Sequence, residues 1–303
     1  MNNKGFIFTM LSIFITGIII VFALISYETI DIGQHALREA NTLKMLVDNL
    51  ENDVSRGLYI TSFRTLIGQI ERIVTSGVFL NSTQESFIEG MLNGTIDGHS
   101  LEMLENATFN DWLTKITSLL EEKSYTFNYN ILILEQIQED PWHVSSRLLM
   151  NYTLSTPDSE RGYNRIINIT EKVRIIGLED PSYYIHSYGR IINVVNKSTN
   201  NDILYLIDQS YGASRYIESN LSPSYLQRLQ GDSNPSDYGI ESIVGGQRFK
   251  DQGIIEYDGR SSVDALYFYD TMSTVQCVDG APDWFRIDVD RIPLYSNLEN
   301  TSC

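Results

Sequence analysis

Basic side chains are in short supply: Lys and Arg number 22 against 39 Asp and Glu, and the 303-residue chain carries a formal charge of -17. A surface of that sign repels a phosphate backbone, which excludes a nucleic-acid binder. Histidine is rarer still, at positions 35, 99, 143 and 186 only, with no H-E-x-x-H or H-x-H pairing, so no local stretch encodes a zinc site. There is no G-x-S-x-G elbow, no P-loop, no G-x-G-x-x-G turn, no Gly-X-Y period and no internal repeat. These absences leave no catalytic residue to name, and neither a cofactor nor a metal is implied. What is present is apolar: 42% of residues are hydrophobic, too many for a disordered chain. The length suffices for one membrane segment and one or two globular units with their own cores.

The apolar run from Phe6 to Ile25, FIFTMLSIFITGIIIVFALI, holds twenty residues without a charge. A helix of that length spans a hydrocarbon core of roughly 30 Å. A cleaved secretory peptide would have an apolar region of about 7–15 residues ending in an A-x-A-like site, and neither feature is found. Lys4 precedes the run, while Glu28 and Asp31 follow it, so the positive-inside rule puts the amino end in the cytoplasm and everything after Tyr27 outside. The lipid bilayer is therefore the first expected partner.

The fold class expected is α+β, with a short cytoplasmic end and transmembrane helix over 1–27, a helical stalk region over 28–122 and an antiparallel β domain over 123–198. The mixed α/β region 199–303 either completes that domain or forms a second. Leu37, Ala40, Leu43, Val47, Leu50, Val54, Leu58, Leu66, Ile70 and Ile73 recur at three or four residues, the period of one long amphipathic helix. Gly57 and Gly68 either bend it or mark close packing. Helix continues in SFIEGML and, capped by Thr108, in NDWLTKITSLLEEK, while 81–106 reads as an exposed connection. From Ser124 the period becomes two. Tyr125, Phe127, Tyr129, Ile131 and Ile133 share one face, as do Val144, Leu148, Met150, Tyr152 and Leu154, and then Ile167, Ile169, Val173 and Ile175. Further on, RIINVV, SVDALYFYD and WFRIDVD read as strands, and the stretch around SYGASRYIESNLSPSYLQRL as short helices broken by Pro223.

N-x-[ST] sequons fall at Asn81, Asn93, Asn106, Asn151, Asn168, Asn196, Asn220 and Asn300, all beyond the apolar run and so within reach of an external glycosylation machinery. Asn151 and Asn168 have the opposite parity from the apolar residues of their strands, which points a glycan at either to solvent. Cys277 and Cys303 are the only cysteines; outside the cell they would pair, closing a 27-residue loop and stabilising by roughly 3–4 kcal/mol in the chain-entropy account. Free thiols and a bond between chains are the alternatives. Asp288 and Asp290, with Asp283 nearby, form a solvated acidic strand face rather than a calcium loop, since the Asp-x-Asp-x-Asp-Gly pattern is absent. Gly90, Gly94 and Gly98 mark a loop, and the clusters Tyr183-Tyr184 and Tyr267-Phe268-Tyr269 read as sheet packing before ligand contact. A pocket holding His143 or His186 beside a carboxylate would reopen an enzymatic reading, which the sequence otherwise does not support.

Asn3-Lys4-Gly5 followed by Phe6 and the unbroken apolar helix resembles the class III signal of type IV pilin-like proteins. The resemblance implies cleavage between Gly5 and Phe6 and a helix that packs with filament subunits; Met10 stands where that family has Glu. A terminal disulfide loop, which Cys277 and Cys303 would supply, also recurs in pilins. The longer chain resembles archaeal membrane-anchored surface proteins in FNDWL (109–113), GLEDPSYY (177–184), SPSYLQRLQG (222–231), GIESIV (239–244) and SSVDALYF (261–268), a likeness that implies no activity. The expectation is a membrane-anchored, pilin-like structural or adhesive protein with a glycosylated extracellular domain. A single-pass binding module or accessory subunit of another membrane protein is the alternative, and a surface hydrolase the third reading.

Overall fold

The computed structural model describes the backbone of residues 3–155, 163–254, 259–269, 273–296 and 298, with side chains throughout these except in 3–19 and 22–40. The protein is α+β with antiparallel sheets. It divides into two compact units, 1–53 and 54–303. The limits expected at 122/123 and 198/199 do not coincide with that boundary, because the elements of 54–122 pack into the same unit as everything after them.

Helix α1 covers Asn3–Ser76. Among the described residues no helix is long and apolar enough to cross a membrane; of the run Phe6–Ile25, only Ile20 and Val21 have described side chains. Within the second unit α1 buries Val54, Leu58, Leu66, Ile70 and Ile73, the expected three-and-four spacing. It ends at Gly77, whose φ of 68° is the left-handed conformation that a residue with a Cβ resists. Gly57 marks close packing, not a bend. Trp112 lies against it, so that a Cβ at Gly57 would come within 2.5 Å of the indole Cδ1.

Helix α2 (Thr83–Asn93) starts at Ser82, whose hydroxyl accepts from the Glu85 amide, and stops at left-handed Gly94. Strands β1 (Thr95–Ile96) and β2 (His99–Ser100) then pair antiparallel across Asp97-Gly98, both at positive φ, the two-residue turn that Asp-Gly favours. The segment 81–106 is therefore no exposed connection: Phe87, Met91, Ile96 and Leu104 are all buried. The glycine count hid a helix, its cap and a hairpin. Helix α3 (Phe109–Glu121) carries the expected cap, Thr108 and Asp111 bonding reciprocally.

Strands β3 (Thr126–Asp140), β4 (His143–Ser155) and β5 (Tyr163–Arg174) form an antiparallel meander. One face is buried: Phe127 and Leu134 on β3, Val144, Leu148, Met150, Tyr152 and Leu154 on β4, Ile167 and Val173 on β5. The expected parity fails at one point. A bulge lets Ile131 pair with Met150 but Ile133 with Leu149, so Ile133 turns outward, 42% exposed, and Leu134 takes the inner position. Gln69 of α1 and Gln136 of β3 exchange two amide hydrogen bonds at 3.3 and 3.2 Å, and Ser55 donates to Glu171, tying helix to sheet.

The rest of the chain comprises α4 (Pro181–His186), β6 (Asn196–Lys197), α5 (Ile203–Ser210), β7 (Arg215–Glu218), α6 (Tyr225–Gln230), β8 (Ile240–Ser242), α7 (Gly246–Asp251), α8 (Asp264–Tyr267), β9 (Val275–Gln276) and β10 (Ile287–Asp288). β7 pairs parallel with β6 and antiparallel with β8. Several expected strands are corrected here. RIINVV contributes a single bridge from Val194 to Glu179, SVDALYFYD holds the helix α8, and in WFRIDVD only Ile287–Asp288 is strand before a 3-10 turn begins at Val289. Around Pro223 the stretch read as helical contains the strand β7 before the helix α6. Short apolar runs carry no period that separates the two forms. Val144, Tyr225 and Phe249 share one core with Leu66 and Ile73 of α1, so 199–303 completes the same unit; Ile203, Val263, Phe285 and Ile287 belong to a second cluster.

Candidate functional site

Strand β8 carries the densest gathering of charge, because its alternation sends Glu241 and Ser242 to opposite sides. On the Ser242 side lies Arg228, 1% exposed. Its Nη1 donates to Asp180 Oδ2 at 2.8 Å and to Asp264 Oδ2 at 3.0 Å, and its Nη2 to Asp264 Oδ1 at 3.2 Å and to the Ile240 carbonyl. Asp180, the N-cap of α4, also accepts from the Ser182 amide and the Tyr216 hydroxyl, each at 2.9 Å. Asp264 accepts from the Ala265 amide and the Ser242 hydroxyl, each at 2.6 Å. On the Glu241 side, Arg291 Nε donates to Glu241 at 3.0 Å and Nη1 to Asp288 at 3.2 Å; Ser222 and Tyr295 donate to Glu241, each at 2.6 Å.

Each cluster sets one guanidinium against two carboxylates. Burial pushes the Asp264 carboxyl above its ordinary range against the pull of Arg228, and does the same to Asp288 against Arg291. Burial would lower Arg228, yet Asp264 and Asp180 outweigh it and hold the guanidinium charged. Tyr183 and Tyr216 are pushed well above the usual phenol range, first by burial and then by the neighbouring aspartates, Asp264 for Tyr183 and Asp180 for Tyr216. Four segments noted in the sequence meet here: GLEDPSYY supplies Asp180, SPSYLQRLQG supplies Ser222 and Arg228, GIESIV supplies Glu241 and Ser242, and SSVDALYF supplies Asp264. FNDWL supplies Trp112 at Gly57. The clusters are closed to solvent and their carboxylates are already matched by donors, which suits a cross-brace between loops better than a binding site.

Of the titratable groups singled out in the sequence, Asp288 joins the Arg291 cluster, while the two histidines lie elsewhere. His143 Nδ1 sits 2.9 Å from Asp140 Oδ1, but both belong to the β3–β4 hairpin, where Asp140 also accepts from the Trp142 amide and Lys172. Burial raises the Asp140 carboxyl, but the bonds from His143, the Trp142 amide and Lys172 together outweigh it, leaving the group below its ordinary range, as suits a turn-fixing residue. His186 stacks on Phe268 at 4.8 Å, and burial lowers its pKa to about 4. Tyr183, Tyr267 and Phe268 are core residues of α4 and the α8 end, not of a sheet. Asp288 is buried beside Arg291 while Asp290 is exposed, so the two do not share a face, and no group of three or more candidate metal ligands occurs among the described residues. Gly90 packs on Thr65, Gly94 caps α2, and Gly98 turns the β1–β2 hairpin. Cys303 and Asn300 lie outside the described residues, as do His35, Gly5 and Phe6 apart from the backbone helix; among the described residues no cysteine is free.

Among the grooves that open on the surface of the described residues, two are the following. One of 540 Å³ between the end of α2 and the start of α3 is lined by Asn93, Glu102, Glu105, Asn106 and Asp111. Another of 530 Å³ runs along Cys277–Arg286. Neither contains histidine or a nucleophile placed against a base. Asn81, Asn93, Asn106, Asn168 and Asn220 are exposed, and Asn151 and Asn196 half-buried. Comparison with known family models, curated proteins and solved structures finds no match.

Proposed function

We propose that the chain is a single-pass cell-surface protein of pilin-like design, a structural or adhesive subunit anchored by its amino-terminal helix with its folded unit outside. The observation that carries the reading is α1: one helix contains the uncharged twenty-residue run and, further on, buries an amphipathic face in a unit built on an antiparallel sheet. Such a helix serves both as anchor and as core element. The exposed sequon asparagines and the acidic balance fit an extracellular surface. The buried charges support a scaffold role, since they are matched within the fold.

Mass spectrometry of the amino terminus of the protein from its native membrane tests this. A mature chain beginning at Phe6, recovered with filaments after shearing, is the expected result. A retained Met1–Gly5 on a chain that stays monomeric in mild detergent overturns the filament reading. Met10, standing where the resembled family has Glu, favours a second reading in that event: a permanently anchored binding module or accessory subunit, which a pull-down yielding one stoichiometric membrane partner would support.

A further inference from the structure

The eight sequons are alike in sequence but not in the fold. A sequon needs its asparagine amide and the hydroxyl two residues on. At five sites that hydroxyl residue serves the structure. Thr83 is buried, Thr95 donates to Glu89 at 2.6 Å, Thr108 caps α3 through Asp111, Ser198 donates to the Asn200 carbonyl at 2.6 Å, and Ser222, fully buried, donates to Glu241. Asn196 also donates its own amide to the Val194 carbonyl. Asn300 lies outside the described residues.

Asn151 and Asn168 differ. Each lies in a strand, where residues two apart share a face, so Asn151 with Thr153 and Asn168 with Thr170 stand together on the outer face of the β3–β4–β5 sheet. None of the four makes a side-chain hydrogen bond among the described residues. The register sets Asn151 opposite Ile166 and Asn168 opposite Leu149, whose other neighbour is Ile133. The two asparagines are thus diagonal neighbours about 7–8 Å apart. Between polar neighbours such as Asn130 and Arg147, the face carries an apolar strip where solvent is expected: Ile166 is 61% exposed and Ile133 42%.

We propose that Asn151 and Asn168 are the principal glycan pair of this protein and that their two glycans cover the outer face of the sheet, shielding Ile133, Leu149 and Ile166 from association. The inference rests on the extracellular placement proposed above. In the transfer, the asparagine Nδ2 bonds to the anomeric carbon of a lipid-phosphate-linked oligosaccharide. The carbon–oxygen bond to phosphate breaks, the phosphate departs with the electron pair, and one amide proton is released. Sites whose hydroxyl residue is already bonded or buried are poor acceptors once the unit has folded, whereas at these two neither the asparagine amide nor the threonine hydroxyl is bonded among the described residues; Asn168 and Thr170 are exposed, and Asn151 and Thr153 half-buried with the Asn151 Oδ1 enclosed.

Glycopeptide mass spectrometry of the full chain from its native membrane tests the pair, alongside Thr153→Val and Thr170→Val, which remove each sequon but keep a β-branched residue in the strand. Expected are glycans at Asn151 and Asn168 at higher occupancy than at the five sites whose hydroxyl residue is bonded or buried, loss of one glycan in each variant, and increased binding of a hydrophobic dye in the double variant. Bare Asn151 and Asn168 beside glycosylated sequons elsewhere would overturn this inference alone. All eight sequons bare would overturn it together with the extracellular placement. Full occupancy of the pair with unchanged dye binding and self-association in a folded double variant would overturn the shielding.

Discussion

Replacing Arg228 by methionine keeps the length and apolar stem of the side chain and removes its charge. Arg228 donates two bonds to Asp264, one to Asp180 and one to the Ile240 carbonyl, all within the interior. Without it Asp180 keeps the Ser182 amide and Tyr216 hydroxyl, and Asp264 keeps the Ala265 amide and Ser242 hydroxyl. Two carboxylates then share a site with no cation. Removing one partner of a buried ion pair costs about 3–5 kcal/mol, which at a urea dependence of about 1–3 kcal/mol per molar lowers the unfolding midpoint by roughly 1–2 M or more. The loss also acquires a pH dependence with a definite sign. Burial already raises Asp264, and losing Arg228 raises it further. A carboxyl whose folded pKa lies above its unfolded value contributes stability that is complete below the unfolded pKa and is lost as pH rises through the folded one. Arg228→Met is therefore closer to the parent protein at pH 5 than at pH 8. The assay is urea unfolding of the full chain followed by tryptophan fluorescence at both pH values. A midpoint within roughly 0.5 M of the parent, or equal losses at pH 5 and pH 8, would refute the view of Arg228 as the cation that offsets the burial of Asp264.

Two further outcomes follow from single contacts. Gly57→Ala drives a methyl group into the Trp112 indole and should cost about 1–3 kcal/mol, read as a lowered melting temperature; an unchanged one would show that α1 and α3 do not meet at this glycine. His186, lowered to about 4 by burial, is neutral in the folded state while the unfolded chain takes up a proton below about pH 6.5. Stability should fall by up to about 2–3 kcal/mol as pH drops from 6.5 to 4, and His186→Phe should flatten that slope in a denaturation series; an unaltered slope would rule His186 out as its source.

The parts of the fold that were legible in the sequence are those where one element is long enough to show its period. Helix α1 announced itself through Val54, Leu58, Leu66, Ile70 and Ile73, α3 through its cap Thr108, and the meander through alternation. Even there one extra residue at Leu132 reversed Ile133, because a bulge leaves no mark on composition. Asp97-Gly98 was a readable hairpin signal hidden among sequons and glycines. Past residue 175 the elements are mostly two to eight residues long, below the length at which a period can be distinguished, and the fold there depends on contacts distant in sequence.

The charge clusters show what kind of signal was missing. Asp180, Arg228 and Asp264 are separated by 36 residues or more, so no local motif could connect them, and each alone reads as an ordinary surface charge. A weak trace was present: Asp180 precedes Pro181 at a helix start, and Ser224 with Gln227 forms a capping box that opens the helix bearing Arg228. Those caps fix where Asp180 and Arg228 begin their helices and hence which way their side chains enter the interior. Irregular backbone cannot bury its polar groups in a ladder, and the two arginines answer that need by bonding the carbonyls of Ile240 and Leu221 as well as the carboxylates. A region poor in regular structure can stay compact in this way, and the segments 177–184, 222–231, 239–244 and 261–268 supply the side chains of that bracing. Losing Arg228 should therefore loosen the carboxyl-terminal region while leaving the β3–β4–β5 sheet intact, a separation that hydrogen exchange can read directly.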